Sequence, residues 1–239
     1  MSWIIVVQPT KVIYAYFIVN PKLVDPASMS FDSLVELLST ELLADKVVAM
    51  ATDTVFGLVG SAASCEALDA IALIKGRDPS VSMPVVISKL ADLDSLVPSA
   101  VLEDPVISHL FDRLWPGPLT VILPLLPGSI CGRFFPSDTV GVRLPADLRL
   151  REVAKKVGPM VATSANEHKK ATLRSGREVL NELGRTSQGN ALSLVLDESS
   201  RSESASTIVE VVGKNFRVLR EGAISTDTIA KAFRIGGRG

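Results

Sequence analysis

Lys75-Gly76-Arg77-Asp78-Pro79 closes an apolar run, and Thr52-Asp53-Thr54-Val55-Phe56-Gly57-Leu58 follows another one upstream. Arg143-Leu144-Pro145 and Ser164-Ala165-Asn166 repeat the arrangement further along. Each is a short polar insertion at the end of an apolar stretch. Together they offer fixed cations beside small hydroxyl and amide groups, which suits a phosphate-bearing ligand. The rest of the chain reads as scaffold for these four loops.

Working outward, Ser30-Phe31-Asp32 opens a helix to about Leu43, with Leu34, Leu37, Leu38 and Leu42 on one stripe. Val47 to Ala51 reads as a short buried strand, and Val55 to Gly60 as an irregular extended piece with glycines at its bends. Ser64 caps the helix that exits into Lys75-Gly76-Arg77. Pro84 to Ser88 reads as a strand, Val101 to Leu114 as one helix with Pro105 near its start, and Trp115-Pro116-Gly117-Pro118 as a rigid turn feeding a strand from Leu119 to Leu123. Strands from Thr139 to Leu144 and from Met160 to Thr163 flank a helix capped by Asp147 that ends at Val157. A helix from Ser175 to Leu183, a strand from Leu192 to Leu196 and a mobile polar linker from Arg201 to Ser204 come next. Thr207 to Val212 and Phe216 to Arg220 form a hairpin around Gly213-Lys214-Asn215, and Thr226 to Phe233 is the last helix.

Strands and helices alternate through the middle, and the end is strand-rich. That pattern predicts an α/β fold, a twisted mixed sheet flanked by helices. Neither a Gly-x-Gly-x-x-Gly turn nor a Walker-type loop occurs, so a nucleotide would be held another way. The 239 residues fit one domain, taken as 31–239 after an N-terminal extension of 1–30.

The formal net charge is −1, which provides no global field for nucleic acid. Cys65 and Cys131 are the two cysteines; so far apart, they predict neither a disulfide framework nor a zinc site, and a reducing compartment. His109 and His168 have no partners at metal-ligand spacing, so no protein-held transition metal is expected. Near the N-terminus, Trp3 to Val7 and Val12 to Val19 are apolar, but Gln8-Pro9-Thr10-Lys11 divides them. That favours a strand or irregular extension over a membrane span or signal peptide.

Each polar loop has two readings. Lys75 and Arg77 could serve the helix's last carbonyls and dipole, or form an anion clamp. Thr52-Asp53-Thr54 could be a simple turn, or place a hydroxyl at a strand end where ligands bind, with Asp53 holding the loop or sitting near magnesium. Arg143 interrupts an apolar strand, so it either faces a polar cleft, where it could hold a carboxylate, or forms a buried salt bridge. Ser164 could be a cap, or with Asn166 supply hydrogen bonds to a ligand. No nucleophilic-serine signature surrounds it.

The ordered segments Thr52 to Leu58, Lys75 to Arg77, Trp115 to Thr120, Val140 to Pro145, Thr163 to Asn166, Ser206 to Val209 and Val218 to Gly222 resemble the YrdC-like family, the threonylcarbamoyl-AMP synthases. The similarity runs from about Phe31 to Gly222 and leaves out the extra C-terminal domain of the long members. It implies a single YrdC-like domain around a concave basic cleft. It also implies synthesis of threonylcarbamoyl-AMP and pyrophosphate from L-threonine, bicarbonate and ATP. A threonylcarbamoyl-transferase complex then acts on adenosine 37 of tRNA. By resemblance, Thr54, Ser88, Arg143, Ala162 and Ser206 lie around L-threonine. Arg77, Met83, Thr139, Ser164, Asn166, Thr172 and Arg220 lie around ATP, and Lys75 and Arg77 stabilise charge during catalysis. Mg2+ arrives with ATP, the location is cytoplasmic, and no membrane is involved.

Departures from the family pattern are a longer loop after Arg77, Met83 at a commonly polar position and Ser88 where many members have His. Glu167 to Lys170 and Glu221-Gly222 depart as well. The alternative is a double-stranded RNA or tRNA binding module of the same fold, with weak RNA contact and no turnover. A third reading is a carbamoyl-transfer domain of hydrogenase maturation.

Overall fold

The apolar runs condense into one sheet in the computed structural model, which describes residues 21–78, 81–184, 192–213 and 215–234. Its strands are β1 (Lys22–Val24), β2 (Val47–Ala51), β3 (Phe56–Ser61), β4 (Val85–Val86), β5 (Leu119–Pro124), β6 (Thr139–Arg143), β7 (Met160–Ser164), β8 (Leu192–Leu196), β9 (Thr207–Val212) and β10 (Asn215–Arg220). The spatial order is β1-β8-β2-β3-β7-β4-β6-β5-β9-β10. β1/β8, β2/β8, β4/β6 and β5/β9 run parallel, and the other neighbours run antiparallel. The sheet is therefore mixed, as the alternation of elements predicts.

Helices pack on both faces. α1 (Phe31–Leu43) and α5 (Leu148–Val157) lie on one, where Leu34, Leu38, Leu42, Leu150 and Val153 bury against Val48, Val59 and Leu194. α2 (Cys65–Lys75), α4 (Pro105–Leu114), α6 (Gly176–Glu182) and α7 (Thr226–Phe233) cover the other, around Leu68, Ile71, Leu110, Val179 and Ile229. Side-chain oxygens of Ser30, Ser64, Asp147, Ser175 and Ser225 cap five of these helices, each accepting a first-turn N–H. α1 and α5 pack over β1, β8, β2 and β3 and reach Met160 of β7 and Val86 of β4. Past them the same face stays open from Ser164 on β7 to Arg143 on β6, Thr120 on β5 and Ile208 on β9.

Several sequence expectations shift. Phe56–Ser61 is a regular, fully buried strand rather than an irregular piece. Its glycines permit close packing: a Cβ on Gly60 would stand 3.0 Å from Ile71 Cδ1 on α2. The single helix expected from Val101 to Leu114 is two, α3 (Ser99–Leu102) and α4, because Pro105 opens a new helix behind the Asp104 cap. The strand expected from Pro84 to Ser88 contracts to Val85–Val86. Arg201, expected in a mobile linker, is tied to Asp147 at 2.7 Å. Part of the expected extension joins the sheet as β1, against β8. The apolar runs from Trp3 to Val19 lie outside the described residues.

The cysteine expectation is overturned. Cys65, at the start of α2, and Cys131 form a disulfide with Cα atoms 5.4 Å apart. Sequence separation hid the pair; the fold brings α2 beside the loop after β5.

Candidate active site

Strand alternation decides what faces the open part of the sheet. Gly57 on β3, Ala162 and Ser164 on β7, Val86 on β4, Arg143 on β6, Thr120 on β5 and Ile208 on β9 all point that way and line one cleft of about 280 Å³. The polar loops form its walls: Thr52 and Thr54 after β2, Lys75 and Arg77 at the exit of α2, Asn166 and Thr172 after β7, Ser206 before β9 and Arg220 at the end of β10. Four cationic side chains line it, and no carboxylate does among the described residues.

The α2 exit is set by Gly76, whose φ of 55° and ψ of 36° are left-handed and open to glycine. Arg77 N–H then returns to the Ala72 carbonyl at 2.9 Å, closing the helix and turning both cations toward β7. Lys75 is 3% exposed. Its ammonium donates to the Ser164 carbonyl, to the Asn166 carbonyl at 2.9 Å and to Asn166 Oδ1 at 3.2 Å. Burial, with Arg77 adding repulsion, lowers its pKa to about 8. Arg77 donates to the Ser82 carbonyl at 2.8 Å, while its Nε is buried with no hydrogen-bond partner. Burial lowers its pKa too.

Both readings of Arg143 hold at once. Its guanidinium pairs with Asp53, donates to Thr54 Oγ1 at 2.9 Å and to the Gly117 carbonyl at 3.1 Å, and still lines the cleft. Burial pulls its pKa down against the opposing pull of Asp53. Asp53 also accepts Ala146 N–H at 2.8 Å, so it holds the loop. The Trp115-to-Pro118 turn therefore has a part in the site: Gly117 fixes Arg143, and Gly117 N–H bonds the Leu144 carbonyl at 2.9 Å. Arg220 donates to the Ser206 carbonyl at 2.8 Å and to Ser206 Oγ at 3.2 Å. Its pKa is lowered by burial and then by Arg143. Like charges held close with lowered pKa values describe a site built to receive an anion.

A comparison with known sequences decides the lineage: the family profile Sua5/YciO/YrdC, described as "Telomere recombination", matches residues 40–222. The chain belongs to the Sua5/YciO/YrdC family. A relative from Sodalis glossinidius, named threonylcarbamoyl-AMP synthase, is 30% identical over 178 residues, covering 74% of this chain and 88% of its own length. A Rattus norvegicus relative of the same name is 31% identical over 205 residues, with 80% and 67% covered. Among solved structures, Pyrococcus abyssi Sua5 complexed with L-threonine superposes with a TM-score of 0.73 at 24% identity, covering 90% of this chain. The chain spans 60% of that longer Sua5 chain.

Of the positions that the YrdC-like resemblance assigns, Thr54, Lys75, Arg77, Arg143, Ala162, Ser164, Asn166, Thr172, Ser206 and Arg220 line the one cleft. Three do not. Met83 is 2% exposed in the core behind α2, between the cleft-lining Ser82 and Pro84. Ser88 gives its hydroxyl to Asp92 at 2.6 Å. Thr139 pairs with Pro124 at the far end of β6 from Arg143. Conversely, the Sua5/YciO/YrdC cleft has a floor that loop motifs do not reveal: Thr120, Val86, Leu150 and Ile208. Thr120 and Ile208 lie in the recognised segments Trp115 to Thr120 and Ser206 to Val209, whereas Val86 on β4 and Leu150 on α5 carry no motif signal. Thr120 Oγ1 and Ser206 Oγ share a hydrogen bond of 2.9 Å.

Proposed function

We propose that this chain joins L-threonine, bicarbonate and ATP into threonylcarbamoyl-AMP and pyrophosphate, the first step of threonylcarbamoyl modification of tRNA adenosine 37. The observation that carries this reading is the convergence of Arg77, Arg143, Ser164 and Arg220, from four distant stretches of chain, on one hollow. The naming of the relatives supports it.

In this reading ATP lies along the Arg77, Ser164, Asn166, Thr172 and Arg220 wall. L-threonine lies toward Thr54, Arg143 and Ser206, its carboxylate drawn to the Arg143 guanidinium. Threonine's amine adds to carbon dioxide from bicarbonate to give a carbamate. A carbamate oxygen attacks the α-phosphorus, the bond to the bridging oxygen breaks, and its electron pair leaves with pyrophosphate. Such a transfer needs alignment and neutralised charge more than a covalent nucleophile. Arg77 and Arg220 supply the charge, and Lys75 fixes the Ser164–Asn166 backbone. Among the described residues the lining offers no carboxylate for a metal; in this reading Mg2+ comes with ATP, held by phosphate oxygens and water.

A threonylcarbamoyl-transferase complex takes the product to tRNA. No helix among the described residues is long and apolar enough to cross a membrane. We place the chain in the cytoplasm, where ATP and tRNA meet. The test is pyrophosphate release with each substrate omitted in turn. Release that requires both threonine and bicarbonate is expected. Release independent of either, or salt-sensitive RNA binding without turnover, overturns the reading.

A further inference from the structure

Ala51 is the last residue of β2 and directly precedes the Thr52–Thr54 turn that walls the cleft. The paired register of β2 with β8 extends to Ala49 and Val195. Beyond that point side chains hold the β8-side edge of the strand, while β3 stays paired along the other edge as far as Ala51 and Phe56. Glu198 Oε1 accepts Ala51 N–H at 2.9 Å, and Arg149 Nη2 donates to the Ala51 carbonyl at 3.2 Å. The same Arg149 nitrogen donates to the same Glu198 oxygen at 2.5 Å. The three contacts close a ring around one residue of backbone.

The ring is well enclosed, with Arg149 and Glu198 side chains 7% and 14% exposed. Neither lines the cleft. Both line a second hollow of about 470 Å³, with Met29, Phe31 and Leu148. Arg201 bridges the ring to Asp147, which caps α5 through Leu150 N–H at 2.8 Å. The end of β2, the start of α5 and the segment after β8 are thereby joined at one point.

Two short links run from that point to the cleft. Thr52 Oγ1 accepts Thr54 N–H at 3.1 Å, and Thr54 Oγ1 accepts Arg143 Nη1 at 2.9 Å. A shift of Ala51 therefore moves the Thr54 hydroxyl and the Arg143 fork together. Burying an ion pair is a costly way to end a strand, since desolvation offsets much of its attraction. Its geometric return is a fixed turn.

We propose that Arg149 and Glu198 act together as positioning residues for the Thr54–Arg143 end of the cleft, setting its affinity for the amino-acid substrate. The proposal rests on the reading of that end as the L-threonine site. Arg77, Ser164 and Asn166 hang from α2 and β7, and Arg220 from β10, none of which the ring's three hydrogen bonds reach.

The test compares KM for L-threonine and for ATP in wild type, Arg149→Lys, Glu198→Gln and Glu198→Ala, with melting temperatures alongside. A lysine keeps the charge but brings no planar fork to reach Ala51 and Glu198 at once. Arg149→Lys and Glu198→Ala are expected to raise the threonine KM about tenfold and the ATP KM less than about twofold, a loss of binding confined to one substrate. Glu198→Gln keeps an oxygen for Ala51 N–H and is expected to stay within about threefold of wild type. Should Glu198→Ala not fold, the contrast between Arg149→Lys and Glu198→Gln decides. Threonine KM values equal to wild type, or both KM values rising in step with lost melting temperature, overturn the proposal. An inactive wild-type chain overturns the function reading instead.

Discussion

Lys75 and Asn166 hold one another across 91 residues of chain: the buried ammonium donates to the Asn166 carbonyl at 2.9 Å. With the Ser164 carbonyl and Asn166 Oδ1 also on Lys75, all three N–H groups of the protonated form face acceptors. The neutral amine keeps two donors and turns a lone pair toward an oxygen. The lowered pKa of about 8 places that change within the range of an ordinary assay. Between about 8 and the usual 10.5 the folded protein binds fewer protons here than the unfolded chain, so this group's contribution to stability rises with pH across that window and is constant, at its least favourable, below about 8. The loop weakens locally while global stability does not suffer from this group. We expect the ATP KM to climb above about pH 8 without a matching drop in the urea midpoint. Lys75→Met is expected to have a high ATP KM at every pH. A wild-type ATP KM flat from pH 7 to pH 9.5 would contradict this.

Among the arginines that line the cleft, Arg77 is the one whose buried Nε lacks a partner. An N–H left unpaired at a cleft costs free energy that a bound anion recovers. Arg77→Ala is therefore expected to fold normally and to lose about a hundredfold in kcat/KM for ATP, in the range of removing one preorganised donor from a developing charge. Circular dichroism with steady-state kinetics checks both halves. Loss of folding would assign Arg77 to the scaffold.

Much of this site could be read from the chain because its walls are polar interruptions of apolar runs, as at Lys75-Gly76-Arg77 and Arg143. Such residues are expensive in a core, so their presence marks a cleft or a pair. The floor escaped for the converse reason. Val86, Leu150 and Ile208 are ordinary core residues by composition, and where α1 and α5 end over the sheet decides that they meet the cleft. The Cys65–Cys131 pair and the Arg149–Glu198 ion pair escaped because each joins segments that only the strand order brings together. Pro105 and Gly60 were visible but ambiguous: one starts a helix as readily as it bends one, and the other packs closely as readily as it turns.

Arg143 and Asp53 form a buried pair, with side chains 8% and 14% exposed. Arg143→Ala would strand the Asp53 carboxylate, a change that costs about 3 to 5 kcal/mol. The informative variant is Arg143→Lys, which keeps the charge beside Asp53 but cannot also reach Thr54 and Gly117. It is expected to stay folded and to raise the threonine KM about tenfold or more while the ATP KM moves little. An unchanged threonine KM would make Arg143 a structural cation alone.

Cys65 and Cys131 close a loop spanning 66 residues of separation, which by chain entropy corresponds to about 4 kcal/mol of stability. The loop holds all of α2, including Lys75 at its end. Cys65→Ser with Cys131→Ser is expected to lower the unfolding free energy by about 2 to 4 kcal/mol. Turnover at 25 °C is expected to remain, because neither sulfur reaches the cleft lining. Thiol titration of the denatured, unreduced wild type is expected to find no free thiol. Two free thiols would contradict the pairing.

Ser88 is the sharpest case where family position and placement part. Its backbone N–H and hydroxyl both go to Asp92 Oδ2, at 2.8 and 2.6 Å, where they shape the turn into the 3-10 segment Leu90–Ser95. A hydroxyl committed to a neighbouring carboxylate and absent from the cleft lining has no free donor for a substrate. Ser88→Ala removes one of the bonds that Asp92 accepts; a bond to a charged acceptor is worth about 1.5 to 3 kcal/mol. We expect a melting temperature lowered by several degrees, as about 1.5 to 3 kcal/mol implies for a chain of this size. The threonine and ATP KM values are expected to stay within about twofold of wild type. A threonine KM raised tenfold at unchanged stability would instead draw this hydroxyl into the substrate site, and with it a rearrangement of the Ser88–Asp92 turn on binding.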